Sequence, residues 1–244
     1  MVHISLSGEV IGAIGSFQVT NSILTTWLVM IFLTTMVIIF RSSISSVPSH
    51  FQSFFEILVG SLYTTFESLL GERTRQFFPL IATLFIFILF SNLVDVLPGV
   101  NSIVVKESAA VSERGTVPLF RPPTADLNTT LGLAIISILA IQFFSLRVLG
   151  VFSHFGKYIS FKDPLSFFVG VLEIIQEFSR ILSFSFRLFG NIFAGEVLLS
   201  VMAFLMPLIV PIPFLGLELF VAFIQALVFS MLTAVFLSLA IVKH

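Results

Sequence analysis

The chain has 244 residues, 57% of them hydrophobic and only 10% charged, with a formal net charge of -1 and a mean hydropathy of +1.11. A soluble domain carries roughly a quarter charged residues, so this chain cannot coat a water-soluble globule, and its wealth of aromatic and β-branched residues excludes disorder. Cysteine is absent, which removes disulfides and thiolate chemistry; there is no basic surface for nucleic acid, and 31 Phe against one Trp and two Tyr suit lipid-facing helices better than a girdled barrel.

Taken in chain order, Met1 to Thr20 lacks a Lys/Arg n-region and an A-x-A site, so no signal peptide is expected. Residues 23–41 form the first apolar run, uncharged until Arg41 and long enough to span a bilayer. Residues 48–75 repeat differently. Phe51, Phe54, Phe55, Leu58, Leu62, Phe66 and Leu69 alternate with Gln52, Glu56, Tyr63 and Glu67 at a 3.6-residue period. That pattern predicts an amphipathic helix lying in the interface, with a helix packed on the bundle as the alternative. Residues 77–97 predict a second span, stopped by Pro98 and Gly99. Residues 98–126 hold Lys106, Glu107, Glu113, Arg114, Arg121 and several prolines, and read as a loop outside the bilayer. Residues 127–149 predict a third span, with Asp126 as its N-cap.

Residues 164–206 then run without an internal proline. A span needs about 20 residues, so this segment is either two helices or one strongly tilted helix. Pro207, Pro211 and Pro213 predict a turn, and residues 214–242 a final long helix. The fold class is therefore an all-α membrane protein: a single membrane domain over 1–244, with about five membrane-embedded helices, two of them long and tilted, plus one interfacial amphipathic helix. On this reading Arg41, Arg73, Arg75, Arg147, Lys157, Lys162 and Lys243 face one side, and Lys106, Arg114 and Arg121 the other. The positive-inside rule then puts the C-terminus in the cytoplasm and the N-terminus outside.

Glu173, Glu177, Arg180, Arg187 and Glu196 lie within the long helical segment, and Glu218 and Gln225 within the last one. A charge at the bilayer centre costs about 2.5–3.5 kcal/mol on insertion scales, so each is a functional candidate. The structural alternative is packing ion pairs, and Glu177 and Arg180 have the i,i+3 spacing for one. At 100° per residue Glu173, Glu177, Arg180, Arg187 and Asn191 share one side, with Ser183 one turn from Arg187. Glu196 falls on the opposite face with Ser185. Glu218, Ala222 and Gln225 make a polar-and-small stripe on the last helix. Arginine stays protonated and cannot relay a proton, whereas buried glutamates can.

The run Ser183-Phe-Ser-Phe-Arg187-Leu-Phe-Gly-Asn191-Ile-Phe-Ala-Gly-Glu196 resembles the signature of the subunit a family of rotary F-type ATP synthases. Pro123-Thr-Ala-Asp126-Leu-Asn128 and Ile224-Gln225-Ala-Leu-Val-Phe match in order, and Asn92 to Pro98 matches more weakly. The resemblance implies a non-catalytic stator subunit whose two long helices hug a ring of c subunits, each carrying a mid-membrane carboxylate. It implies that Arg187 is the essential arginine between two half-channels and that Asn191 and Gln225 are its polar neighbours. Glu196 and Glu218 become a paired outer relay; other members place a histidine at one of these positions. Asp95 and Asp126 are expected to line the outer entrance, and Glu173, Arg180 and Ser183 the inner exit. The implied partners are the c ring, the b-subunit peripheral stalk, the lipid bilayer and protons, with sodium left open. No cofactor or metal is implied. The expected location is a bacterial inner membrane, with an organelle inner membrane as the alternative.

Two rivals remain at this stage. A self-contained secondary transporter would use Glu196 and Glu218 as its own ion site, but internal repeats and broken helices are missing. A purely structural assembly subunit would tolerate loss of Arg187.

The topology is directly testable because the chain has no native cysteine. Ser112→Cys and Ser153→Cys, probed with an impermeant maleimide in sealed vesicles of either orientation, should label from opposite sides. Labelling of both from one side would show a miscounted span.

Overall fold

A computed structural model describes residues 8–15, 17–42, 44–45, 48–97, 100, 103–106, 116–150, 164–206 and 209–241. Pro98, Gly99, Glu107, Ser112, Glu113, Arg114, Ser153, His154, Lys157, Lys162, Pro207 and Lys243 lie outside these residues. A short antiparallel hairpin, β1 (Val10–Ile14) and β2 (Phe17–Thr20), leads into α1 (Asn21–Ser42). Then come α2 (His50–Leu70), a 3-10 turn (Gly71–Arg73) and α3 (Thr74–Val96). A second small hairpin, β3 (Val104–Lys106) and β4 (Thr116–Pro118), and a 3-10 turn (Pro123–Ala125) precede α4 (Leu127–Leu149). The chain closes with α5 (Pro164–Leu205) and α6 (Pro211–Ala240). Among the described residues, five helical stretches are long and apolar enough to cross a membrane, α2 and α3 counting as one continuous stretch. The architecture is that of an all-α membrane protein.

Several element boundaries differ from the sequence expectation for identifiable reasons. Gly71, at φ +58°, ends α2, with its N–H donating to the Glu67 carbonyl. The amphipathic helix therefore stops at Leu70, and α3 begins at Thr74, whose hydroxyl donates to the Gly71 carbonyl at 2.7 Å. At the start of α2, Ser49 caps through Oγ, which accepts from the Gln52 N–H at 3.3 Å. Pro211 and Pro213 do not belong to a turn before the last helix. They form its first turn, where a missing N–H costs nothing. The proline-free segment is one helix of 42 residues and not two.

The core is a seam of α3 against α6, with α4 and α5 closing round it. Phe77, Ile81, Leu84, Phe85 and Ile88 line α3 at helical spacing. Facing them on α6 are small residues: Ala222, Ala226 and Ala234 are fully buried, with Ser230 and Thr233 between. Small residues let two backbones approach closely where hydrocarbon supplies no hydrophobic drive to associate. Hydroxyls fasten the remaining contacts. Ser137 and Thr233 join α4 to α6 at 2.9 Å, Ser145 donates to the Ala240 carbonyl at 2.8 Å, and Thr130 meets Ser185 of α5 at 3.1 Å. Phe184 of α5 packs on Phe229 and Phe236, with centroids 5.0 and 5.7 Å away. By contrast α1 buries only Asn21, Ser22, Thr25 and Val29 along its whole length.

The seam predicts an asymmetric response to side-chain size. Ala226→Leu inserts three carbons where no space exists, and overpacking of this kind costs about 1–3 kcal/mol. Leu239→Ala, at a 56% exposed position, should be near neutral. Thermal unfolding of the two detergent-solubilised variants measures the contrast. Equal midpoints would mean that the α3–α6 seam is loosely packed.

Candidate functional site

The buried ionisable groups converge where α3, α5 and α6 meet the segment that precedes α4. Asp95 ends the buried face of α3 at 5% exposure, and Glu218 sits two turns into α6 at 4%. Their carboxyl groups lie close enough to act on each other electrostatically, and Asp95 Oδ2 and both Glu218 oxygens are buried without a hydrogen-bond partner among the described residues. Glu196 approaches from α5 and interacts electrostatically with both Asp95 and Glu218. Its Oε2 is 3.4 Å from Nη2 of Arg121.

The backbone that brings these groups together is specified residue by residue. Gly195 gives Glu218 its room: a Cβ there would stand 2.5 Å from Glu218 Oε1 and 3.3 Å from its Cδ. Asn92, fully buried one turn before Asp95, donates to the Ala222 carbonyl at 3.1 Å and accepts from the Thr124 hydroxyl at 2.7 Å. One side chain thus ties α3 to α6 and to the 3-10 turn. Residues 121–126 are all buried. This end of the expected solvated loop is folded into the helical domain, because its polar groups find partners there. The Arg121 N–H donates to Thr25 Oγ1 at 3.2 Å. Asn21 accepts from the Glu9 N–H at 3.0 Å and donates to the Pro118 carbonyl at 3.2 Å. Through Asn21 the N-terminal hairpin is stitched to the same segment.

Asp126 caps α4 as its position implies, with Oδ1 accepting from the Asn128 N–H at 3.0 Å. Its Oδ2 accepts from the Ser22 hydroxyl at 2.6 Å. Both oxygens are engaged, and Gly8 packs on the pair so closely that a Cβ would meet Ser22 Oγ at 2.5 Å.

Arg187 lies on the other side of α5. It is exposed, as are Ser183 and Asn191 one turn either way, and its guanidinium donates to Ser183 Oγ at 3.4 Å. Phe186, Phe178 and Leu182 continue this bare face. Glu177 and Arg180 form the i,i+3 ion pair at 2.8 Å, and the Arg180 guanidinium stacks over Phe236 of α6 at 4.4 Å. The pair is therefore turned toward α6, away from Arg187, and Glu173 is half-buried two turns before Arg180. Gln225 is 8% exposed on the packed face of α6. A cavity of 180 Å³ between α5 and α6 is lined by Asn191, Gly195 and Glu218 among others.

The structure thus gathers Asp95, Glu196 and Glu218, places Asp126 nearby in a capping role, and holds Arg187, Asn191 and Ser183 apart. Arg121 was assigned by the sequence to the external cations. It is 4% exposed and belongs to the acid cluster. The available signal was its place beside Pro122 and Pro123, directly before the Pro123-Thr-Ala-Asp126 motif. Among the described residues no group of three His, Cys, Asp or Glu is arranged to hold a metal ion.

The ATP synthase A chain family model matches residues 23–238. The chain is 35% identical over 219 residues to the ATP synthase subunit a of Geobacter sulfurreducens, covering 89% of this chain and 86% of the relative. It is 36% identical over 219 residues to that of Trichlorobacter lovleyi, covering 89% and 85%. To a protein of Propionigenium modestum named ATP synthase subunit a, sodium ion specific, it is 37% identical over 235 residues, covering 94% of this chain and 76% of the relative.

Proposed function

The chain belongs to the ATP synthase A chain family, and on that footing we propose that it is the ion-conducting stator subunit of the rotary membrane sector. It sits in the bacterial inner membrane with its N-terminus outside and its C-terminus cytoplasmic. The carrying observation is the opposition on α5: Arg187 is exposed on the bare face, while Glu196 reaches a buried acid cluster on the packed face. Two aqueous paths that use opposite faces of one helix can communicate only through something that moves between them, which is the role of the c ring.

On this reading ions enter from outside past Asp95, pass through Glu196 and then Glu218, with Asp126 shaping the wall, and are handed to a ring carboxylate. They leave inward past Ser183, Arg180 and Glu173. Arg187 keeps its charge at every working pH, so it attracts each deprotonated ring carboxylate and repels a proton that would pass directly. Each charge crossing is worth about 2.3 kcal/mol per 100 mV, so a direct leak would dissipate the coupling. Asn191 and Gln225 flank the transfer point, the b-subunit stalk holds the stator, and α2 lies in the interface.

The coupling ion on this reading is the proton. Sodium is a second reading, favoured by the similarity to the Propionigenium modestum protein. The two separate in one assay: proton coupling predicts ATP-driven acidification without sodium, and sodium coupling predicts uptake of sodium that a protonophore does not abolish.

Arg187→Ala should abolish ATP-driven pumping in inverted vesicles while ATP hydrolysis by the detached head continues. Arg187→Lys should also fail, because a compact ammonium lacks the planar fork. Pumping at the normal rate in either variant would remove Arg187 from the ion path.

Glu196 and Glu218 should act as one unit. Glu196→Gln and Glu218→Gln should each pump slowly with a displaced pH profile, and the double variant should be far less than additively worse. Additive losses with unchanged profiles would show two independent acids.

A further inference from the structure

We propose that Arg121 is a positioning residue of the outer relay: it holds the ionised Glu196 against the segment before α4 and releases it toward Glu218 once Glu196 is protonated. The inference rests on reading Glu196 and Glu218 as that relay. Four acids face the site, from four parts of the chain: Glu9 beside the first hairpin, Asp95 on α3, Glu196 on α5 and Glu218 on α6. The cation acting on both Asp95 and Glu196 is Arg121. So many carboxylates in one buried place need a compensating charge or a shared proton.

Geometry separates two roles within the cluster. Asp95 and Glu218 are buried close together without hydrogen-bond partners for Asp95 Oδ2 and both Glu218 oxygens among the described residues, and Glu196 is paired to the side with Arg121. The contact of 3.4 Å is longer than a tight charge-assisted bond, which is about 2.7–2.9 Å. It is held chiefly by charge and weakens when the charge on Glu196 is cancelled. The anchor itself is fixed, because the Arg121 backbone is bonded to Thr25 and its side chain is 4% exposed. Glu196 is then the movable member. Ionised, it rests on Arg121; protonated, it can turn toward Glu218, whose carboxyl fills the space beside Gly195, and deliver its proton to the Glu218 carboxylate. It returns to Arg121 as a carboxylate.

The test is ATP-driven acidification against pH in inverted vesicles carrying Arg121→Gln, Arg121→Lys, Glu196→Gln and the Arg121→Gln/Glu196→Gln pair. Arg121→Gln should pump about ten-fold more slowly, with its pH profile moved about one unit to the alkaline side, because a carboxylate that loses a neighbouring cation holds its proton more tightly. Arg121→Lys should restore most of the profile, and the double variant should be no worse than Glu196→Gln alone. A normal profile in Arg121→Gln, or additive loss in the double variant, overturns the proposal. If Arg121→Gln does not accumulate in the membrane, the double variant decides. Recovered accumulation supports the pairing, since it leaves no unmatched buried charge, and no recovery overturns it. Normal pumping by Glu196→Gln would instead defeat the relay reading itself, whatever Arg121 does.

Discussion

Hydrocarbon offers a polar group no water, and the need to satisfy each one inside the protein orders this fold. Two solutions divide the hydroxyls. Thr34, Thr64, Thr65, Thr83 and Ser179, on exposed faces, donate to carbonyls of their own helix four residues back. Ser137, Ser145, Thr130 and Ser185, on buried faces, reach across to a neighbouring helix or its partner hydroxyl. The first group allows a helix to face lipid without penalty. The second fixes which helices touch, where apolar contact alone would not discriminate between a neighbour and the bilayer.

The same constraint explains why the acid cluster needs a piece of non-helical chain. Carboxylates from three helices are not all neutralised by those helices, because Arg187 is on the exposed face of α5 and Arg180 is committed to Glu177 and Phe236. The segment 118–126 supplies the missing cation, and its irregular chain is tolerated because Asn21 and Thr25 bond to its backbone and Asn92 and Ser22 to the side chains of Thr124 and Asp126. Irregular backbone at this depth is stable only when buried in protein. The N-terminal hairpin lies outside the residues that match the family, 23–238, yet it joins this plug through Glu9 and Asn21.

The long helices were legible because a run of apolar residues has few alternatives, and the Asp126 cap was legible because its oxygen acts locally. What escaped the sequence was nonlocal. Arg121 sits in the charged loop by every local measure, and only the partners at Thr25 and Glu196, 96 and 75 residues away, bury it. The hairpins are three to five residues per strand, too short for alternation to announce them. Helical phase placed Glu177 and Arg180 with Arg187, but a 100° wheel cannot say where along its length a helix meets its neighbour. Phe236 of α6 draws Arg180 inward, while nothing of that kind covers Arg187. The Glu196–Glu218 pairing, implied by resemblance, became a larger group once Asp95 was seen against Glu218.

The uninterrupted length of α5 gives the two-faced arrangement its geometry. Forty-two residues extend about 63 Å at 1.5 Å each, against a hydrocarbon layer of about 30 Å. A straight helix of that length, held within the layer, must tilt by about 60° from the normal. Arg187 lies near the midpoint of Pro164–Leu205, so it stays close to mid-depth at any tilt. Glu196 lies nine residues further along, about 14 Å on the axis, which a 60° tilt reduces to about 7 Å of depth. The acid and the arginine are then separated mostly sideways and by half a turn of helix. On the proposed reading, an ion brought to Glu196 has crossed about a quarter of the hydrocarbon layer on the packed side and still cannot reach Arg187's side through α5, whose interior is backbone. A perpendicular helix with the same two residues would set them at clearly different depths. On the proposed reading, the tilt that this length imposes within the layer brings the ends of the two paths to within about 7 Å of depth on opposite sides of a single wall.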